Sequence, residues 1–327
     1  MEVAVVVPNW NGRRWLAKCL ESLAAQTRPA AEIVIVDNGS VDDSLAVARG
    51  SELPLRIIEL ERNTGFAFAA NRGIEAAGAE AVALVNTDVV LAPDWIERMA
   101  ARLETHPSLG AVACKMVQMN GGGTLYDAGD FLRRDGVCEQ RGRFERDDGR
   151  YDAPGEAFAA CAGAAVYRRR AVLDVGGFDE RFFSYLEDVD LGLRLRLAGW
   201  RCAYEPAVAE HAGGGSSWQL SPPAEHWIER NTLMLVGKAF PLRWMHLVAY
   251  RQLGWAWHAL REGRLRAHLG GALAALPMLG AIAKERRRLR RSATVPIELA
   301  VPAAPIRRRN REGSRRDRGR GLTRSRA

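Results

Sequence analysis

The sequence predicts an α/β fold in which a mainly parallel sheet is flanked by helices. Short, β-branched apolar runs recur at VAVVVP (3–8), EIVIVD (32–37), LRIIEL (55–60) and AVALVN (81–86). Segments of helical length and mixed polarity separate them. Each run ends on polar residues. A strand buried on both faces reads as a continuous apolar run rather than an alternation. Strand–helix alternation implies right-handed crossovers between parallel neighbours.

The first run leads into a helix over about 12–25, the second into 41–50, the third into 66–78 and the fourth into 93–105. Ligands of such sheets bind beyond the carboxyl ends of the strands. The positions that matter are therefore Pro8-Asn9, Asp37-Asn38, Asn63–Gly65 and Asn86–Asp88. Residues 118–155 are rich in glycine and charge and read as a long excursion. FAACAGAAVYRR (158–169) reads as a return strand of small residues, and a further strand is expected at 202–209. A helix is expected to start near Leu186. There Val189, Leu191, Leu193, Leu195 and Leu197 alternate as a strand would, yet Leu186, Val189, Leu193, Leu197 and Trp200 share one helical stripe. Gly199 supplies a helix stop, which decides for helix. Glu187, Asp188 and Asp190 then fall in the first turn, where the helix dipole favours negative charge by ~0.3–1 kcal/mol each.

Charge is unevenly spread over the 327 residues. KERRRLRR (284–291) holds six bases and one acid, and 307–327 holds ten arginines and two acids. Of the totals of 47 bases and 39 acids, 31 and 35 remain in residues 1–283, so that part carries a net charge of −4. The five cysteines, Cys19, Cys114, Cys138, Cys161 and Cys202, never form a CxxC pair. That argues against a zinc site or disulfide framework and fits a reducing compartment. No secretory signal is read at MEVAVVVPNW. The most apolar stretch, 267–283, is broken by a proline and two adjacent glycines, short of the roughly 20 apolar residues of a spanning helix.

Two nucleotide-binding patterns are absent. The first strand is followed by PNWNGRRW rather than GxGxxG, and no GxxxxGK[ST] loop occurs. What remains is a nucleotide site built from acids. NTD (86–88) closes the fourth strand, and hard divalent cations prefer carboxylate oxygens with positions left open for phosphate. Alone, both Asp88 and the VDNGS of Asp37 read equally as turn chemistry.

Together, VVVPNWNG, IVIVDNGSVDDS, NTGFAFAANRGI, LVNTDVVL and GGFDERFFSYLEDVDLGLRLRLAGW resemble the inverting family 2 glycosyltransferases of the Rossmann-like GT-A fold over residues 1–240. The EDVDL motif, the downstream His211 and ERNTLMLVGKAFP (229–241) further resemble bacterial rhamnosyltransferases acting on polyprenyl-linked intermediates. The resemblance implies that Asp37 bonds the pyrimidine and that Pro8 and Asn9 line the base pocket. By the same token Asn63, Gly65 and Asn71 line the donor site, and Asp88 is the last acid of the metal-binding DxD motif. Asn86 departs from that motif by replacing its first acid. His211 reads on its own as a structural histidine; the resemblance implies a ligand completing the metal shell. The metal is then Mn2+ or Mg2+, with imidazole better suited to Mn2+. An inverting transfer needs a general base; the family's base maps to Asp188, with Glu187 orienting the acceptor or a neighbour and Asp190 structural.

The expected substrates are a dTDP- or UDP-sugar, with dTDP-rhamnose preferred over UDP-galactofuranose and UDP-N-acetylglucosamine, and a polyprenyl-linked or glycan acceptor. Residues 241–291 mix tryptophan, leucine and basic residues at helical spacing. They read as amphipathic helices, suited to an anionic membrane surface or to packing on the catalytic domain. The protein is expected to be cytoplasmic and peripheral on the inner face of the cell membrane, with 292–327 a basic, disordered tail. A protein binding nucleic acid through its arginines is the competing class; the acidic body and the lack of a stacking motif speak against it.

Overall fold

The computed structural model describes residues 1–213 and 221–303; the arginine-rich segment 307–327 lies outside the described residues. Strand–helix units open the chain: β1 (Val3–Asn9) and α1 (Arg13–Ala24), β2 (Glu32–Asp37) and α2 (Ser44–Arg49), β3 (Leu55–Glu59) and α3 (Phe66–Ala76). They continue with β4 (Ala81–Val85), the short β5 (Val89–Leu91) and α4 (Trp95–Glu104). β1 lies between β2 and β4 and is parallel to both, and β3 pairs parallel with β2. The pairing of β1 with β4 ends at Val6, so Pro8, which has no N–H to give a ladder, falls past it.

The second half of the sheet is mixed. After β6 (Leu109–Gln118) come four three-residue strands, β7 (Leu125–Asp127), β8 (Asp130–Leu132), β9 (Cys138–Gln140) and β10 (Gly155–Ala157). The 118–155 excursion is therefore structured, though in pieces too short to show a period in sequence. β11 (Ala164–Arg168) is antiparallel between β4 and β6. The return strand is thus shorter than the expected 158–169, and 158–163 runs as irregular chain. α5 (Arg169–Asp174) and α6 (Glu187–Leu197) precede β12 (Arg201–His211), which runs parallel to β6 and ends antiparallel to β5. The sheet order is β10-β12-β6-β11-β4-β1-β2-β3. Apolar layers cover both faces of the sheet.

α6 is buried on two sides, which explains its ambiguous pattern. Leu191 and Leu195 face the sheet layer, while Val189, Leu193 and Leu197 join a third core. That third core is completed by α7 (Pro222–Ala239), α8 (Met245–Arg261), α10 (Leu279–Ser292) and α11 (Ile297–Ala300), while α9 (Leu265–Ala275) packs against α7. Gly199 holds φ +91° just past α6, as its role as a stop requires.

Two expectations about the C-terminus need correction. The stretch treated as broken is continuous: Leu265–Ser292 is, among the described residues, one helical run long and apolar enough by length and composition to cross a membrane. Its glycines are a contact rather than a break. A Cβ on Gly271 would strike the His226 carbonyl and Glu229 of α7, so glycine lets the helices approach closely. The disordered tail also does not begin at 292. Ala300 and Val301 are buried, and the Arg134 guanidinium bonds the carbonyls of Glu298 and Val301 at 2.9 and 3.0 Å.

Candidate active site

The strand ends form one tightly bonded half of the site. Asn9 and Asp37 are register partners on β1 and β2. Asn9 Nδ2 donates to Asp37 Oδ1 at 2.7 Å, Ser44 Oγ at 2.9 Å and Ser40 Oγ at 3.1 Å. Asp37 Oδ2 accepts from the Ser40 amide at 3.1 Å. Pro8 sits beside them, opposite Val36. Asn38, one of the strand-end positions, ties the next turn down. Its Nδ2 donates to Asn63 Oδ1 and the Gly65 carbonyl, and its Oδ1 accepts from Thr64. Gly65 holds φ +88°, and a Cβ there would strike Phe183. The Phe183 carbonyl accepts from Phe66 N at 2.6 Å, which docks the start of α3 against the loop leading to α6.

Asn71 departs from its expected place. Its amide exchanges bonds with the Phe178 backbone at 2.9 and 2.8 Å and reaches Glu180 at 3.0 Å. Both ends of the amide are engaged by the 178–180 turn, so Asn71 positions that turn rather than forming a donor wall.

Pairing of β5 with β12 sets His211 opposite Val89, next to Asp88. His211 Nε2 lies 3.6 Å from Asp88 Oδ1. Burial, countered by Asp88 and reinforced by Arg143, lowers the imidazole pKa, so the ring stays neutral as a metal ligand requires. Its Nδ1 accepts from Gly213 N at 2.8 Å, which leaves the ring proton on Nε2, toward Asp88. The pair fits a divalent cation as two protein donors, an oxygen and a nitrogen, provided that the imidazole exchanges tautomers. Asn86 faces the adjoining cleft; among the described residues no cluster of three or more His, Cys, Asp or Glu is placed to hold a metal.

That cleft, of about 940 Å³, is lined by Asn86, His211, Glu187 and Asp188 among others. Asp188 starts α6; its Oδ1 accepts from Val189 N at 2.8 Å and its Oδ2 from Ala162 N at 3.2 Å. Burial raises its pKa against these amide bonds. Burial, then the Asp188 charge, raises Glu187 well above the usual carboxylate range. Asp190 is structural as expected: Lys238 Nζ reaches it at 2.6 Å and Arg194 Nε at 2.8 Å.

Two further acids complete the floor. Burial and the Asp188 charge push Asp127 up to about 7. Asp130 is raised by burial and by Asp127 and Asp188. Glu187 Oε2, Asp127 Oδ1 and Asp130 Oδ2 are buried without a hydrogen-bond partner. YDAGD (126–130) was the available signal: two acids three apart at the tight Gly129, φ +99°. Above the floor, Tyr126 stacks on His211 with ring centroids 4.2 Å apart.

The loop before α6 is unusual. Phe183, Tyr185 and Leu186 all have positive φ, at 64°, 72° and 66°. Asn231 of α7 donates through one amide nitrogen to the carbonyls of Phe182, Ser184 and Tyr185 at 3.1, 2.8 and 2.7 Å. Arg230 holds the carbonyls of Arg181 and Phe182. The ERN of ERNTLMLVGKAFP is thus a clamp on the loop that presents Asp188.

Comparison with known proteins shows the family and the fold. The family model for Glycosyl transferase family 2 matches residues 4–176. The chain is 26% identical over 239 residues to O-antigen biosynthesis protein RfbC of Myxococcus xanthus, aligning 69% of its own length but spanning only 18% of that protein. It is 29% identical over 292 residues to N-acetylglucosaminyl-diphospho-decaprenol L-rhamnosyltransferase of Mycobacterium tuberculosis, covering 81% of this chain and 89% of that one. Among solved structures, GalNAc-T7 with UDP, GalNAc and Mn2+ superposes with a TM-score of 0.60 at 16% identity, over 74% of this chain and 48% of that one. At that identity the likeness shows the fold, GT-A.

Proposed function

Because this chain belongs to glycosyl transferase family 2, we propose that it moves L-rhamnose from dTDP-rhamnose, with inversion, to a hydroxyl of a polyprenyl-linked or glycan acceptor in cell-envelope glycan synthesis. The single observation that carries this reading is one cleft lined by Asn86, His211, Glu187 and Asp188 together. A donor whose base rests by Pro8, Asn9 and Asp37 would lay its diphosphate toward Asp88. The acceptor hydroxyl would then approach from the side of Asp188, which takes its proton as the new glycosidic bond forms. Glu187, beside the base, orients the acceptor. Asp88 and His211 would hold Mn2+ or Mg2+, which supplies charge to stabilise the leaving diphosphate.

The rhamnosyl donor rests on the Mycobacterium relative, whose name gives both the sugar and a decaprenol-linked acceptor. The test is a thermal-shift screen of nucleotide-sugars with Mn2+ or Mg2+. A selective shift with dTDP-rhamnose is expected; a shift only with UDP-galactofuranose or UDP-N-acetylglucosamine would replace the donor.

Residues 1–240 make up the catalytic domain, and 241–291 place it on the inner face of the membrane. Tyr250, Leu253, Trp257 and Leu260 form an exposed stripe on α8, and Leu269, Leu273, Leu276 and Leu279 form another. α8 and α10 pack on the third core and α9 packs on α7, so the helices both cap the domain and present apolar surface. Basic Lys284, Arg287 and Arg290 are exposed nearby on α10. Flotation with vesicles rich in anionic lipid is expected, and Leu253→Ser with Trp257→Ser should reduce it severalfold. Equal flotation by the double variant would remove the membrane role.

A further inference from the structure

The cleft is lined by four arginines, Arg133, Arg141, Arg143 and Arg196. Three of them have firm partners. Arg133 pairs with Asp135 and Glu139. Arg141 bonds the carbonyls of Ala128 and Glu156, and Arg196 those of Ala300 and Ala157. Arg143 differs in how it is held. Like Arg141 and Arg196 it makes no ion pair among the described residues; its guanidinium bonds the amide oxygen of Gln140 and sits against the Tyr126 hydroxyl. It also lies over two rings, 4.4 Å from the centre of Tyr126 and 4.6 Å from that of Phe144.

Stacking orients a guanidinium without consuming its in-plane donors. Tyr126 in turn stacks on His211 at 4.2 Å. The order His211, Tyr126, Arg143 therefore sets a fixed positive charge two stacking steps from the Asp88–His211 pair, on the wall of the same cleft. Asn86 stands there where a second acid would add negative charge. With one carboxylate fewer, a bound cation is less neutralised by the protein, and a guanidinium nearby suits an anionic ligand rather than a protein acid.

We propose that Arg143 binds the diphosphate of the nucleotide-sugar donor and stabilises it as the leaving group. The proposal rests on the donor being a nucleoside diphosphate sugar. In the step, the bond between the anomeric carbon and the diphosphate oxygen breaks, and its electron pair stays on the diphosphate. The acceptor oxygen forms the new bond and gives its proton to Asp188. Arg143 remains protonated throughout; its donors meet the charge that develops on the diphosphate oxygen, as electrostatic stabilisation of a leaving group requires. Arginine is suited to this because its fork matches phosphate oxygens.

Calorimetry with UDP, dTDP and the corresponding monophosphates, each in EDTA and in Mn2+, tests the assignment. Wild-type protein is expected to prefer the diphosphates over the monophosphates even in EDTA. Arg143→Gln should lose that preference by roughly tenfold or more while keeping its monophosphate affinity, and Arg143→Lys should recover part of it. The monophosphate arm reports folding, because it uses the strand-end pocket alone. If Arg143→Gln keeps the diphosphate preference, the assignment fails while the family function stands. A raised acceptor KM with unchanged diphosphate affinity would move Arg143 to the acceptor side and equally overturn it. A wild-type protein that binds none of these nucleotides in either condition would sink the donor reading together with this one.

Discussion

The strand ends and the acid cluster at the cleft are built differently. At the strand ends, Asn9, Asp37, Asn38 and Asn63 bond one another and the neighbouring backbone. On the floor, Glu187, Asp127 and Asp130 each leave a buried carboxyl oxygen without a partner. An unmet buried polar atom costs about 1–3 kcal/mol; the floor carries three of them and the strand ends one, Asn9 Oδ1. One is a largely bonded cradle. The other is a set of acids crowded against each other, with raised proton affinity, which suits the work of taking a proton.

The largest effect expected from this contrast is kinetic. Asp188→Asn should lower kcat by ~10²–10⁴, the usual contribution of a general base, while nucleotide affinity measured by calorimetry stays within about twofold. A variant with near-normal turnover would show that the crowded floor does not house the base. Burial raises the Asp188 carboxyl, so the acid limb of the wild-type kcat/KM profile should lie above the ordinary carboxylate range.

Smaller, and opposite in sign, are two changes in stability. Asn9→Ala removes a donor that serves three acceptors and should destabilise by about 1–3 kcal/mol. Asp127→Asn should stabilise the protein at pH 8. Asp127 is pushed up to about 7 by burial and by Asp188. The folded state therefore holds its proton where the unfolded chain, an ordinary carboxylate, has released it. That stability is complete below the unfolded pKa, near 4, and is lost as pH rises through about 7. Asp127→Asn should flatten the fall in Tm between pH 5 and pH 8, without abolishing it, because Asp130, Glu187 and Asp188 are raised as well. Melting curves of both variants at the two pH values check the pair. Equal slopes for Asp127→Asn and wild type would show that the floor is not strained by charge.

The same contrast decided what could be read from sequence. β1 to β4 and their ends are apolar runs closed by turn chemistry, so Pro8, Asn9, Asp37 and Asp88 stand out, and the helix following each run falls within a few residues of its expected place. Asp127 and Asp130 sit on strands of three residues amid glycines, where neither a period of two nor of 3.6 can develop. α6 was legible through Gly199 and the family resemblance, because a helix buried on two sides carries apolar residues that fit a strand alternation as well as a helical stripe. Asn71 looked like a donor residue by its motif, and only tertiary structure discloses that Phe178 takes both ends of its amide. Gly270-Gly271 are helix breakers by propensity, yet close packing of α9 on α7 overrides that tendency; Pro277 sits in a 3-10 turn, Leu276–Met278, that joins α9 to α10.

The clamp by Asn231 has a mechanical corollary. Three non-glycine residues within 183–186 hold left-handed backbone, each uphill by about 1–3 kcal/mol, and one side-chain nitrogen on α7 restrains the carbonyls of Phe182, Ser184 and Tyr185. The loop is a loaded spring with its latch on a neighbouring helix. α7 packs in turn against α9 and α10, the helices with the outward leucines. Pressure or detergent at that outer layer has a short route to the latch, and release of the latch would swing the carboxylate at position 188 out of register with any sugar in front of it.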